Sequence, residues 1–142
     1  MAAIGIRVAG PALVGVLLSG FLVACTDTAA VCTDVNDLEG AVQGLRDVTI
    51  EPGALPEIHD QLAEIGQQLT ALHRDAKSEY ADEVDALTSA ANRTKADAAA
   101  ARANLNATTL SALRASVGGL VDATTGLVDS VSQTCRSRSG NR

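Results

Sequence analysis

The sequence predicts an all-α protein, an antiparallel hairpin or bundle of three helices with a long middle one. Three observations support this. Beyond Cys32, apolar residues recur at steps of three and four, the spacing of one helix face and not of a strand. Between Leu55 and Leu105 no proline interrupts that spacing except Pro56 at its start, and Gly66 is the sole glycine. The 142 residues hold one Tyr, one Phe and no Trp, a composition that suits Ala-rich, charge-flanked helices better than a deep globular core.

Helix one is expected to begin near Thr33 or Asp34, either of which can cap free N–H groups, and Asp37 adds negative charge at the positive end of the dipole. Val35, Leu38, Val42 and Leu45 form its seam. Pro52-Gly53, inside Thr49 to Ala54, ends it and turns the chain. Pro56 fits the first turn of helix two, where a missing N–H costs nothing. Helix two carries Leu55, Ile58, Leu62, Ile65, Leu69, Leu72 and Ala76, then Tyr80, Val84, Leu87, Ala91, Thr94, Ala98, Ala101 and Leu105. Its steps alternate three and four as in a coiled coil, except that Leu72 to Val84 takes three fours in a row, a stutter that rotates the seam. Asn104 and Asn106 mark a turn, and Thr108 is placed to cap helix three, whose seam runs Leu110, Leu113, Val117, Leu120, Thr124, Leu127 and Val131 to Cys135. Residues 136–142 read as a loose polar tail.

The N-terminal segment is of another kind. One positive charge, Arg7, precedes an apolar run from Val8 to Val23 that closes on small residues, the pattern of an export signal. The run is about 16 residues long, short of the roughly 20 that a spanning helix needs, and Gly10-Pro11, Gly15 and Gly20 break it. Leu22-Val23-Ala24-Cys25 matches the bacterial lipobox position by position. Residues 1–25 therefore resemble the start of a bacterial lipoprotein precursor. The resemblance implies a signal peptide over 1–24 and a diacylglyceryl group on the Cys25 thiol. It also implies a further fatty chain, such as palmitate, on the new amine. One chain holds a protein marginally, whereas two or three anchor it stably. The implied localisation is the cell membrane, on its extracytoplasmic face. A plain secretory signal cut nearby and an uncleaved membrane helix are the alternatives. The resemblance names an address and no activity.

If lipid consumes Cys25, the remaining cysteines are Cys32 and Cys135, in a disulfide-permissive compartment, and they are expected to pair. A bridge between two molecules and two reduced thiols are the other readings. The domain layout then becomes a lipid-anchored tether over 25–32, a helical domain over 33–135 closed by one disulfide, and the tail. Helix rise gives the three helices lengths of about 24, 73 and 42 Å, so the outer two nearly sum to the middle one. With one outer helix on each half of the long one, Cys32 and Cys135 meet opposite Leu72 to Lys77, where the stutter lies. A break near residues 78–82 would instead give a four-helix up-down bundle whose termini also meet at one end.

Charge is uneven along the chain. Asp34 to Asp85 holds 13 acidic and 3 basic residues, and Ala86 to Arg142 holds 3 acidic and 7 basic. The halves can attract each other within the bundle or between molecules, although a solvated helix surface is the preferred explanation. The formal net charge of −6 argues against nucleic acid as a partner and against a polybasic hold on anionic lipid.

Candidate chemistry is thin. His59 with Asp60 and Glu64, and His73 with Asp75 and Glu79, lie beside the seam without a converging third group. Neither histidine stands at ligand spacing from the cysteines, so no metal site is expected. Asp82, Glu83 and Asp85 read as a solvated acidic face and Tyr80 as packing. Gly118-Gly119 and Gly126 weaken helix three and read as a close helix approach. No catalytic residues and no cofactor are expected. The preferred reading is a non-catalytic envelope lipoprotein that meets a protein partner or its own copies. The alternative is a small carrier of an apolar ligand or lipid, with room where the Ala-rich second half of helix two meets Gly118-Gly119.

Overall fold

The computed structural model describes residues 23–76 and 78–139. Among these the chain is helical and without strands: α1 (Val23–Asp47), α2 (Leu55–Asp75), α3 (Ala81–Ala103) and α4 (Ala107–Ser139). Each helix packs mainly on two others, α1 on α2, α2 on α3, α3 on α4 and α4 back on α1. The result is an up-down-up-down ring of four around one apolar core.

The long middle helix expected from the sequence is therefore two helices. Ala76 leaves the helix at φ −74°, ψ 122°, and a 3-10 turn over Ser78–Tyr80 starts the return. The reason is both local and global. From His73 to Glu79 the chain has no large apolar residue, so a reversal there sacrifices little seam. His73 and Arg74 fall in the last turn of α2, and Asp82 and Glu83 in the first turn of α3, each at the end of the helix dipole that favours its charge. In an unbroken helix these charges would stand mid-helix, where that gain is absent. Folding back also lets four seams share one core, whereas two shorter helices against a long one leave apolar edges exposed.

Each seam has the alternation expected of its helix. Val31, Val35, Leu38, Val42 and Leu45 of α1 are buried, as are Leu55, Ile58, Leu62, Ile65, Leu69 and Leu72 of α2. On α3 the buried line is Val84, Leu87, Ala91, Thr94, Ala98 and Ala101, and on α4 it is Leu113, Val117, Leu120, Thr124, Leu127 and Val131. The stutter is the place where the chain turns, and on each side of it the steps of three and four resume.

The helix ends correct three further expectations. First, α1 begins at Val23, so residues 25–32, expected as a tether, are helical. Val31 is already in the core at 5% exposure, and Thr33 Oγ1 donates to Ala29 O at 3.1 Å, a side-chain bond within a helix that has already begun. Second, α4 runs on through residues 136–139 of the expected tail. Third, the cap of α4 is Asn106 and not Thr108. The Asn106 side-chain carbonyl accepts from Thr109 N–H at 3.0 Å, and Thr109 Oγ1 accepts from Asn106 N–H at 3.2 Å, a reciprocal capping box. At the other turn Glu51 is extended (φ −137°, ψ 167°), as a residue before proline prefers, and a 3-10 turn over Pro52–Ala54 leads into α2. The signal peptide expected over 1–24 lies outside the described residues up to Leu22, and so do residues 140–142 of the tail.

Candidate functional site

Two places in the bundle are more than packing: the end closed by the disulfide, and the groove between α2 and α3.

Cys32 of α1 and Cys135 of α4 are joined, with Cα atoms 5.9 Å apart and a sequence separation of 103. The bridge ties the first helix to the last. Beside it Tyr80, where α3 begins, is buried, and its hydroxyl hydrogen-bonds Thr134 Oγ1 at 2.9 Å. Glu83 accepts from Ser130 Oγ at 3.2 Å, so one member of the acidic cluster binds α4. At the same end Arg74 donates through Nε and Nη2 to the two carboxylate oxygens of Asp75, both at 3.0 Å. That fork holds the Asp75 carboxyl below its usual pKa. Asp34 faces this pair from α1. Burial, then its contact with Asp75, raises the Asp34 pKa, and its Oδ2 is buried without a hydrogen-bond partner.

The α2–α3 groove follows from composition. On α2 the seam residues are Leu and Ile, but on the second half of α3 they shrink to Ala91, Thr94, Ala98 and Ala101. Small residues on one wall leave hollows that two rows of Leu would fill. One hollow of about 370 Å³ is floored by Leu62, Ala63, Ala98 and Ala99 and rimmed by His59, Lys95 and Arg102. The next, about 340 Å³, is floored by Gly66, Leu69 and Ala91, with His73, Thr70, Thr88, Asn92 and again Lys95 around it. Lys95 stands between them. Its Nζ lies 2.8 Å from where a Cβ on Gly66 would be, so the absence of a side chain at Gly66 is what lets the ammonium lie across the groove. Both histidines of the chain thus line one groove. Asp60 and Glu64 do not line it, and among the described residues no three His, Cys, Asp or Glu side chains converge as a metal set would. Reading outward from the seam of α2, the sequence places the two histidines beside it; what it does not show is that the residues facing them from α3 are all neutral or basic.

The remaining core hydroxyls are satisfied locally. Thr94 Oγ1 lies 2.9 Å from Ala90 O and 3.1 Å from Ser116 O, a shared bond that links α3 to α4. Gly118, Gly119 and Gly126, expected at a close helix approach, have nothing within 4 Å of an added Cβ. They face away from the bundle. A smaller hollow of about 100 Å³ between α1 and α4 carries both signs of charge, Glu39 and Arg46. Among the described residues no helix is long and apolar enough to cross a membrane.

Comparison with known proteins adds no assignment: no protein-family model, no curated protein and no solved structure matches the chain.

Proposed function

We propose that the chain is a lipid-anchored, extracytoplasmic lipoprotein of the bacterial cell envelope, with a structural or protein-interaction role and no catalysis of its own. The observation that carries this reading is the division of the three cysteines. Two are bridged to each other across the bundle, and the third, Cys25, is the residue at which the lipobox-type run Leu22-Val23-Ala24-Cys25 ends. A disulfide between helices α1 and α4 suits an oxidising compartment, which is where an export signal delivers a protein. Acyl chains on Cys25 would hold the bundle to the membrane by its disulfide end, because Cys25 lies two helical turns before Cys32. The opposite end, with the turns at residues 48–54 and 104–106, then points away from the lipid and is available to a protein partner or a second copy.

Expression of the full chain in a bacterium, with metabolic labelling by an alkyne analogue of palmitate, tests the anchor. The label is expected on the wild type, in the membrane fraction, and absent from Cys25→Ala, which moves to the soluble exported fraction. Equal labelling of both chains, or none of either, contradicts the reading.

The carrier reading has one observation in its favour, the α2–α3 groove.

A further inference from the structure

We propose that a second copy of this chain docks side by side on the α2–α3 face, pointing the same way, with its Glu64 and Glu57 against Lys95 and Arg102. The inference goes beyond the anchor at Cys25 and does not rest on it.

The two flanks of α2 differ in charge. On the α3 side His59, Ala63, Gly66, Thr70 and His73 line the open hollows together with Lys95 and Arg102 of α3, and no carboxylate is among the lining residues. On the α1 side, steps of four, three and four run Glu57, Gln61, Glu64 and Gln68, with the Gln61 side chain 3.3 Å from where a Cβ on Gly44 of α1 would be. Asp37, near Asp34 on α1, adds to this side, and Arg74 there is already held by Asp75. An anionic face thus lies beside a cationic one.

Within one chain Glu64 and Lys95 find no partner. Both are exposed in mid-helix, neither has an opposite charge three or four residues away on its own helix, and the ion pair among the described residues is Arg74 with Asp75.

Register selects what covers them. Lys95 Nζ lies over Gly66, and Arg102 shares a hollow with His59. Glu64 and Glu57 stand two residues, about 3 Å, before Gly66 and His59 on α2, and each pair, acids and bases, is spaced by seven residues, about 10.5 Å. Two bundles laid side by side with their turns at the same end therefore form Glu64–Lys95 and Glu57–Arg102 together, with no shift along the axis. The reverse orientation matches the spacing too, but only the turn-end halves of the bundles then overlap. The parallel contact runs the 21 residues of α2, about 31 Å, and covers on the order of 500 Å² per partner, the size of a weak, salt-sensitive interface. Ala63 and Gly66 on the receiving face let the partner's α2 approach. The two faces differ, so the contact is heterologous. They are also neighbouring sides of a four-helix bundle, so each copy is turned by about a quarter from the last and the fourth closes a ring.

The test uses the full chain carrying Cys25→Ser, exported and with the Cys32–Cys135 bridge intact, followed by sedimentation equilibrium up to about 1 mM, which reads millimolar and tighter association. Growth past the dimer that stops at the tetramer is expected at about 20 mM salt, at least tenfold weaker at about 500 mM. Glu64→Lys and Lys95→Glu are each expected to weaken it at least tenfold, and an equal mixture of the two to restore it, because every contact in an alternating ring again sets an acid against a base. Circular dichroism establishes that each variant is folded; Glu57→Lys and Arg102→Glu serve if either is not. A chain that is monomeric at every concentration overturns the proposal, whether or not another protein binds either face. So do association that salt and both variants leave unchanged, a mixture that stays apart, and a dimer that grows no further, which would join like faces. A labelled, membrane-bound wild type together with a monomeric Cys25→Ser chain would remove this inference and leave the anchor standing.

Discussion

The Tyr80 hydroxyl and Thr134 Oγ1, 54 residues apart in sequence, are 2.9 Å apart in space, one residue from the disulfide cysteine Cys135. Tyr80 is the only tyrosine in the chain and stands where α2 has ended and α3 begins. It therefore fills the end of the core with its ring and pins the α2–α3 turn to α4 with its hydroxyl. The two contributions are separable. Tyr80→Phe is expected to cost about 0.5–1.5 kcal/mol, the net value of one hydrogen bond. Tyr80→Ala is expected to cost about 3–5 kcal/mol, as other buried aromatic truncations do. Chemical denaturation of the bridged protein measures both, and equal losses would show that the ring contributes nothing.

The bridge beside it constrains almost the whole bundle. Closing a loop of 103 residues is worth about 4.7 kcal/mol in the chain-entropy model. Cys32→Ser with Cys135→Ser is expected to lower unfolding free energy by about 2–5 kcal/mol while helix content at low temperature is retained, since four seams still share the core. Thermal melts with and without reductant follow it. An unchanged midpoint would contradict the assigned role.

The exposed glycines of α4 give the opposite sign. Gly119 and Gly126 lie in a helix, and an added methyl on either meets nothing within 4 Å. Gly119→Ala and Gly126→Ala are each expected to stabilise by about 0.5–1 kcal/mol, through helix propensity alone. Their effects should add, because no contact couples them. A loss of stability in either would mean that the face is covered in solution.

Asp34 predicts a pH dependence. Its pKa is raised by burial and by Asp75, so the folded state holds the Asp34 proton more tightly than the unfolded state does. The stability this supplies is fully present below the ordinary aspartate pKa of about 3.9 and is lost as pH rises through the raised value. At neutral pH the ionised group opposes folding. Asp34→Asn is therefore expected to raise the melting temperature at pH 7 and to lose that advantage near pH 3. An advantage that grows on acidification would contradict the assignment of the shift to Asp34.

Much of this fold was legible in the residues. The seams of α1, α2, α3 and α4, the turn at Pro52-Gly53 and the pairing of Cys32 with Cys135 follow from spacing and from cysteine arithmetic, and the structure has them. The break after Asp75 lies beside residues 78–82, where the four-helix alternative places it, but the residues favour the continuous helix because no proline or glycine announces a turn there. What marks it is electrostatic: Arg74 followed by Glu79, Asp82 and Glu83, basic residues at one helix end and acidic residues at the next helix start. Read as a solvated face, the acidic cluster said nothing; read as a dipole partner, it locates the turn. The α2–α3 groove was legible only in one wall: the Ala-rich second half of helix two was an expected source of room, but against Gly118-Gly119, which face away from the bundle, and not against α2. Its cationic lining was not, because His59 and Lys95 are 36 residues apart and meet only once the chain has turned between α2 and α3. Gly118 and Gly119 misled for a related reason, because local sequence shows a weak helix but not which way its face points.

The intact mass of the protein extracted from bacterial membranes, recorded before and after reduction and alkylation, reports on the anchor and the bridge together. A chain is expected that starts at Cys25, carries acyl groups on that residue, and takes up two alkyl groups, at Cys32 and Cys135, only after reduction. A chain that starts elsewhere, or one in which Cys25 itself is alkylated, would contradict it.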